Sequence, residues 1–272
     1  MMQKLFLILI ALTLAACAGN PADKRELTEA EHYREARKQL DRKTFLDAIE
    51  QLEELEARFP YGDFTEQAQI DLVYARYRSL DYPGATAQAE RFIRTYPTHE
   101  HIDYVLYLRG LAHYYMDQGM FDRVFGSDKA PRDLATMKDA FRDFDELVRR
   151  YPDSEYAPDA RNRMLFIRNL LAEQEIIAAR YYARRQAYIA AANRAQDVIR
   201  HFQQTSSVEE ALAILTKSYQ SLEQPVLAAK GRELLKQNWP DSEWLEDGEV
   251  TIEWWPSDER NWLSLLTFDL LK

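Results

Sequence analysis

One cysteine, Cys17, stands in a chain of 272 residues. An internal disulfide is therefore excluded, and stability must come from burial. Glycine is scarce too, with eight residues. No glycine run precedes a helical pattern and Gly-Lys-Ser/Thr is absent, which excludes a phosphate-cradling loop. A basic surplus is missing: 35 Lys and Arg face 45 Asp and Glu, a formal charge of −10. That balance disfavours nucleic acid and anionic lipid as ligands. The five histidines are scattered, and His-Glu-x-x-His does not occur. His99 and His101 fall in the connector after Pro97, so no metal site is expected there. Carboxylates follow the solvent faces of helical patterns, and no catalytic pair stands out. The sequence predicts a non-enzyme without metal or cofactor. With 46% hydrophobic residues, it also predicts a folded chain.

The start has a distinct anatomy. Lys4 is followed by Leu5 to Leu14 without a charge, then by Ala15 and Ala16. That is the layout of a secretory signal, and its apolar run is far short of the roughly 20 residues that span a bilayer. Leu14-Ala15-Ala16-Cys17 resembles the bacterial lipobox. The resemblance implies that residues 1–16 are removed and that Cys17 carries lipid. Ala18 stands where an Asp would indicate retention at the inner membrane, so the outer membrane is expected. Residues 17–27 read as a flexible tether.

Prolines sit at the edges of apolar periodic segments, which predicts long helices with short connectors. They also keep a period. Ala48, Ala85, Ala140, Ala191 and Ala228 each lie twelve residues before Pro60, Pro97, Pro152, Gln203 and Pro240. An internal repeat of this kind organises everything else. Within a unit, Ala30, Tyr33, Ala36 and Leu40 make one helical stripe, and Phe45, Ala48, Ile49, Leu52, Leu55 and Phe59 make the next. The alanine allows two antiparallel helices to approach. The aromatic closes the last turn, and Pro stops the helix. Thr28 with Glu31 and Ser207 with Glu210 read as capping boxes. Period, alanine and terminal Pro together resemble the tetratricopeptide repeat. The expected fold is all-α: a superhelix of five helix pairs, repeats 1–3 over 28–155 and repeats 4–5 over 156–240.

Four features interrupt the array. The third unit carries an insertion over 117–133, which reads either as functional or as a tolerated surface loop. Residues 156–185 are a nearly unbroken helical pattern, either one helix or two joined by a kink. All five Trp residues fall at or after Trp239, four of them in an acidic tail over 241–272. Its segment 256–271 reads as a short helix with Ser257 as N-cap, which either caps the last repeat or docks another protein. Lastly, Arg161 to Arg200 holds eight Arg, no Lys and three acids. Arg pairs bidentately with carboxylates, so this stretch is set either for an acidic partner or for internal ion pairs. Tyrosine is enriched on the first helices of repeats two and three: Tyr74, Tyr77, Tyr104, Tyr107, Tyr114 and Tyr115. Such residues suit interfaces as well as packing between repeats.

The phrases "FPYGDFTEQAQIDLVYARY" (59–77), "RFIRTYPTHEHIDYVLYLRGL" (91–111), "FGSDKAPRD" (125–133), "AFRDFDELVRRYPDSEYAPDARNRM" (140–164) and "YYARRQAYIAAANR" (181–194) are similar to the BamD family of outer-membrane assembly lipoproteins. The similarity covers about 28–240. Gln203, where the family commonly has Pro, departs from the pattern, and the tail lies outside it. The resemblance implies a lipid-anchored periplasmic adaptor in β-barrel assembly. Its partners would be the periplasmic domain of a BamA-like barrel protein, companion lipoproteins and unfolded outer-membrane proteins. It also implies Arg194 as a partner-binding residue, and Tyr74, Tyr77, Tyr104 and Tyr107 as a substrate-binding groove. A tetratricopeptide scaffold coordinating cell-wall synthesis enzymes is the alternative reading from another class.

Overall fold

Small residues at fixed intervals and aromatic stops shape the fold. The computed structural model describes residues 27–116 and 134–256. Among them are ten helices: α1 (Glu29–Asp41), α2 (Phe45–Arg58), α3 (Thr65–Arg78), α4 (Tyr82–Thr95), α5 (Ile102–Met116), α6 (Ala135–Arg150), α7 (Ala157–Arg184), α8 (Tyr188–His201), α9 (Ser207–Ser221) and α10 (Pro225–Asn238). Two short strands, β1 (Leu245–Glu246) and β2 (Glu249–Val250), form an antiparallel hairpin with Leu245 opposite Val250. The fold is all-α in tetratricopeptide-like pairs. The signal segment, Cys17, the insertion and the helix expected over 256–271 lie, apart from Pro256, outside the described residues.

Two compact units divide the chain, one ending at Ser79 and one beginning at Leu80. In the first, α2 packs against α1 and α3. Ala36, Leu52, Leu55, Ala68 and Leu72 form its core. In the second, each helix from α4 to α9 packs on its successor, and α7 also reaches α9.

The repeat alanines do what their spacing predicts. Ala48, Ala85, Ala140 and Ala191 are fully buried, and Ala228 is nearly so. The aromatic stops share one geometry. Phe59, Tyr96, Tyr151, Phe202 and Trp239 leave the helical region at φ between −126° and −136°. Each still donates its N–H to the carbonyl four residues back. Phe202 adopts this conformation although Gln203 follows it. The fourth stop therefore does not need proline, and Thr205 Oγ1 donates to the Phe202 carbonyl at 2.8 Å.

The turns inside the repeats show a feature that composition hides. Lys43, Leu80, Gln186 and Glu223 lie at φ of 61°, 69°, 58° and 56°, each five residues before a repeat alanine. Thr44, Ala187 and Gln224 then donate backbone N–H to carbonyls five residues earlier. This is the Schellman ending, usually built on glycine. Here side-chain-bearing residues occupy the left-handed position at some cost in strain.

The structure settles two expectations about helix ends and corrects a third. Thr28 and Glu31 form the capping box, with the Thr28 N–H donating to Glu31 Oε2 at 2.9 Å. Residues 157–184 are one helix of 28 residues. The capping box expected at Ser207 and Glu210 does not form. Ser207 is already inside α9, Ser206 makes no side-chain cap, and Glu210 is drawn away by Arg180 across the helix interface.

Candidate functional site

Tyr74 and Tyr77 stand on α3, in the first unit. Tyr74 is half-buried with its ring edge-on to Phe45 at 6.1 Å. Arg78 donates to the Tyr74 hydroxyl at 2.6 Å, and its guanidinium lies 4.8 Å over Phe45 and 5.5 Å over Tyr74. Cation and rings thus form one amphipathic corner. Beside it, Lys43, Thr44, Phe45, Leu46, Asp47 and Ser79 line an open cleft of about 410 Å³. Leu46 is 74% exposed there. Its lining is mixed: Phe45 and Leu46 are apolar, Lys43 and Asp47 carry opposite charges, and Thr44 and Ser79 are polar. Deeper in the unit, the Asp71 carboxylate accepts from the Tyr33 hydroxyl at 3.0 Å and from Gln67 at 3.1 Å. Burial and that carboxylate push the Tyr33 hydroxyl well above its ordinary pKa.

Tyr104 and Tyr107 stand on α5, in the second unit, and both approach Tyr156. Tyr107 stacks on it at 4.9 Å, and Tyr104 lies tilted against it at 5.2 Å. The Tyr107 hydroxyl donates to Asp159 Oδ2 at 2.8 Å. Arg163 donates from Nε to the same oxygen at 2.6 Å and reaches the Tyr115 hydroxyl at 3.3 Å. Burial, then the Asp159 hydrogen bond, raise Tyr107 to about 12. Burial acts against the Asp159 charge, yet the Arg163 and Tyr107 hydrogen bonds outweigh it and lower the carboxyl. The second-unit tyrosines therefore bind α5 to α7 as much as they offer surface.

Arg194 stands on α8. Its Nη1 donates to Glu175 Oε2 at 2.9 Å, and 43% of its side chain is exposed. The hydrogen bond to the Glu175 carboxylate, then its charge, raise the guanidinium pKa. The neighbouring arginines are engaged internally: Arg180 with Glu210 and Glu173, Arg163 with Asp159, and Arg168 with the His201 carbonyl. These contacts show the internal pairing expected of the Arg-rich stretch, and Arg194 is paired while still reaching solvent.

Two further sites escaped the sequence. A polar cleft of about 340 Å³ is lined by Glu90, Arg109, His113, Asp139, Arg142, Asp143 and Glu146. At its base the buried Asp143 accepts from Arg109 at 2.7 Å and faces His113 Nδ1 at 2.7 Å. These residues are spread over three helices, and only the helical stripes that place 109 with 113 and 139 with 143 and 146 hint at the cluster. The second is a strap from the tail. Trp255 stacks on Tyr188 at 5.7 Å and donates from Nε1 to Ser221 Oγ at 3.3 Å, while Arg184 lies 5.4 Å over Trp254. Val250 and Ile252 join the core of the last repeats.

His99 and His101 take structural positions. His99 lies edge-on to Phe92 at 5.2 Å, and its Nδ1 accepts the His101 N–H at 3.1 Å. Among the described residues, no group of three His, Cys, Asp or Glu could hold a metal ion, and no helix is long and apolar enough to cross a membrane.

The sequence profile of the YfiO outer membrane lipoprotein family matches residues 25–235. The outer membrane protein assembly factor BamD of Neisseria meningitidis serogroup A is 40% identical over 268 residues, covering 96% of this chain and 98% of that protein. The protein of the same name from Vibrio cholerae is 39% identical over 231 residues, 85% of this chain and 96% of that protein. The matched span runs through all five helix pairs and includes Tyr74, Tyr77, Tyr104, Tyr107 and Arg194, so the chain belongs to the YfiO family of outer membrane lipoproteins.

Proposed function

We propose that this chain is a lipid-anchored adaptor at the periplasmic face of the outer membrane, serving the assembly of β-barrel proteins. Near-full-length similarity to outer membrane protein assembly factors carries this reading. In it, Cys17 bears the lipid and residues 17–27 let the helical array work beside the membrane. Tethering raises the local concentration of the adaptor at its substrates without a new contact. Repeats 1–3, over 28–155, receive unfolded barrel segments at Tyr74, Tyr77, Tyr104 and Tyr107. Repeats 4–5, over 156–240, dock the periplasmic domain of a BamA-like barrel protein through Arg194, and companion lipoproteins bind the same assembly. The role needs surfaces and no catalytic group. The first-unit cleft suits an extended segment, and Arg194 suits a partner carboxylate.

The test is copurification from solubilised membranes. Arg194→Glu is expected to lower recovery of a barrel protein while far-UV circular dichroism stays unchanged. Undiminished recovery removes Arg194 from the interface, and recovery of a cell-wall synthase in place of a barrel protein overturns the adaptor role. For the groove, Tyr74→Ala with Tyr107→Ala is expected to reduce crosslinking to a barrel-derived C-terminal peptide. Unchanged crosslinking puts the substrate elsewhere.

A further inference from the structure

Helix α7 outruns its neighbour. Along its first half, one face lies against α5: Tyr107 donates to Asp159, Tyr115 meets Arg163, and Tyr114 approaches Phe166 at 6.1 Å. Helix α5 ends at Met116, but the same face of α7 continues. Leu170, Ile177 and Tyr181 follow Phe166 at intervals of four, seven and four residues, which at 3.6 residues per turn keeps them on one side. Ile177 is 42% exposed and Tyr181 52%. Helices α8 and α9 take another side, where Ala172, Ile176, Ala179 and Ala183 are fully buried. Among the described residues, the second half of α7 therefore presents Leu170, Ile177 and Tyr181 on a face with no helix laid on it, shared with Glu173 and Arg184 and bordered by Arg185, whose guanidinium lies 4.8 Å over the Tyr181 ring.

We propose that the chain's own last segment, residues 257–271, docks on this face. The first argument is where the described chain ends. Trp254 lies under Arg184, and Trp255 is fixed between Tyr188 and Ser221. Pro256 therefore leaves beside the C-terminal end of α7. Length is the second argument. Fifteen residues at about 1.5 Å each reach about 22 Å as a helix, and Leu170 to Arg184 spans about 21 Å by the same rise. The third is pattern. Trp262, Leu266 and Leu270 recur every four residues with Leu263 alongside, an apolar stripe of its own. Charge is the fourth. Arg184 and Arg185 stand at the C-terminal end of α7, while Asp258 and Glu259 open the segment ahead of Arg260. The docked segment covers the C-terminal repeats from within the chain, and any partner that uses this face displaces it.

Thiol protection tests the assignment. Ile177→Cys is made with Cys17→Ser, so that one thiol is present, in the full chain and in a chain ending at Pro256. A segment docked about nine times in ten, a bias of about 1.4 kcal/mol, slows maleimide labelling about tenfold in the full chain. Leu46→Cys, exposed in the first unit, is expected to label alike in both lengths. Leu266→Asp in the full chain is expected to restore fast labelling, which keeps the test valid should the shorter chain fold poorly. Equal Ile177→Cys rates in both lengths overturn the proposal. So does slow labelling in both, which assigns the cover to another segment. Protection that appears only on raising protein concentration also overturns it, because it assigns the face to a second copy.

Discussion

Gly110 sits in the middle of α5, where helix propensity alone says that alanine is better by about 1 kcal/mol. The packing says the opposite. A Cβ on Gly110 would lie 2.5, 2.8 and 3.0 Å from Cε1, Cδ1 and Cζ of Phe144 on α6. The ring has little room to retreat, being fully buried and packed against Tyr107 at 6.3 Å. Overpacking a filled core costs about 1–3 kcal/mol. Set against the propensity gain, Gly110→Ala is expected to destabilise by up to about 2 kcal/mol. The sign should reverse when the ring is removed. In a Phe144→Leu background the same change is expected to stabilise by about 1 kcal/mol, a coupling of about 1–3 kcal/mol between the two sites. Stacked repeats can open in stages, so the assay is amide hydrogen exchange of α5 and α6. A global melt would average over the other repeats. If Gly110→Ala shifts protection in the same direction in both backgrounds, the close approach of α5 to α6 through this glycine is refuted.

Other outcomes follow from single contacts. Gln186→Gly, at φ 58° in an exposed turn, removes left-handed strain and is expected to gain up to about 1 kcal/mol by thermal melting; a loss of stability would contradict the strained turn. Arg180→Met leaves the largely buried Glu210 without its guanidinium partner and is expected to cost about 1–3 kcal/mol in urea, with Glu210→Gln recovering part of it. The Tyr107 hydroxyl is raised to about 12, so its stabilisation is complete below the ordinary tyrosine value and lost as pH rises from about 10 toward 12. Tyrosinate absorbance is expected to show that shift, and Asp159→Asn to reduce it. The lowered Asp159 carboxyl acts in the other sense: its contribution is present above the ordinary aspartate value and fades as pH falls through the folded one. Arg163→Met should therefore blunt the acid limb of a stability profile.

The helices were legible because each repeat states its geometry more than once. A buried alanine and an aromatic stop recur in all five units, the first unit adds a capping box, and the fourth keeps its stop even without proline. Left-handed turns were not legible. Their usual marker is glycine, and Lys43, Leu80, Gln186 and Glu223 carry none of that signal. The failed cap at Ser207 shows another limit. Ser-x-x-Glu is local information, while Glu210 answers to Arg180, 30 residues earlier in the chain. Site residues were legible as types, not as roles. The sequence marks Tyr104 and Tyr107 by their rings, but only the structure shows Tyr156 against both and Asp159, itself held by Arg163, on the Tyr107 hydroxyl.

That prior engagement bears on how the proposed adaptor would bind. Arg194 faces solvent with Glu175 as its intramolecular carboxylate, and Tyr74 is held through its hydroxyl by Arg78. A partner carboxylate at Arg194 would replace an existing pair and not fill an empty position. A partly exposed pair of this kind is worth at most about 1 kcal/mol, so displacing Glu175 reduces partner affinity by no more than about fivefold. The exchange has two consequences. Arg194 stays solvated and ordered between encounters, and no unpaired buried charge is left behind when the partner departs. Both favour a contact that forms and releases readily at the partner surface proposed for repeats 4–5. A surface built for permanent association would bury its arginine and provide no internal substitute.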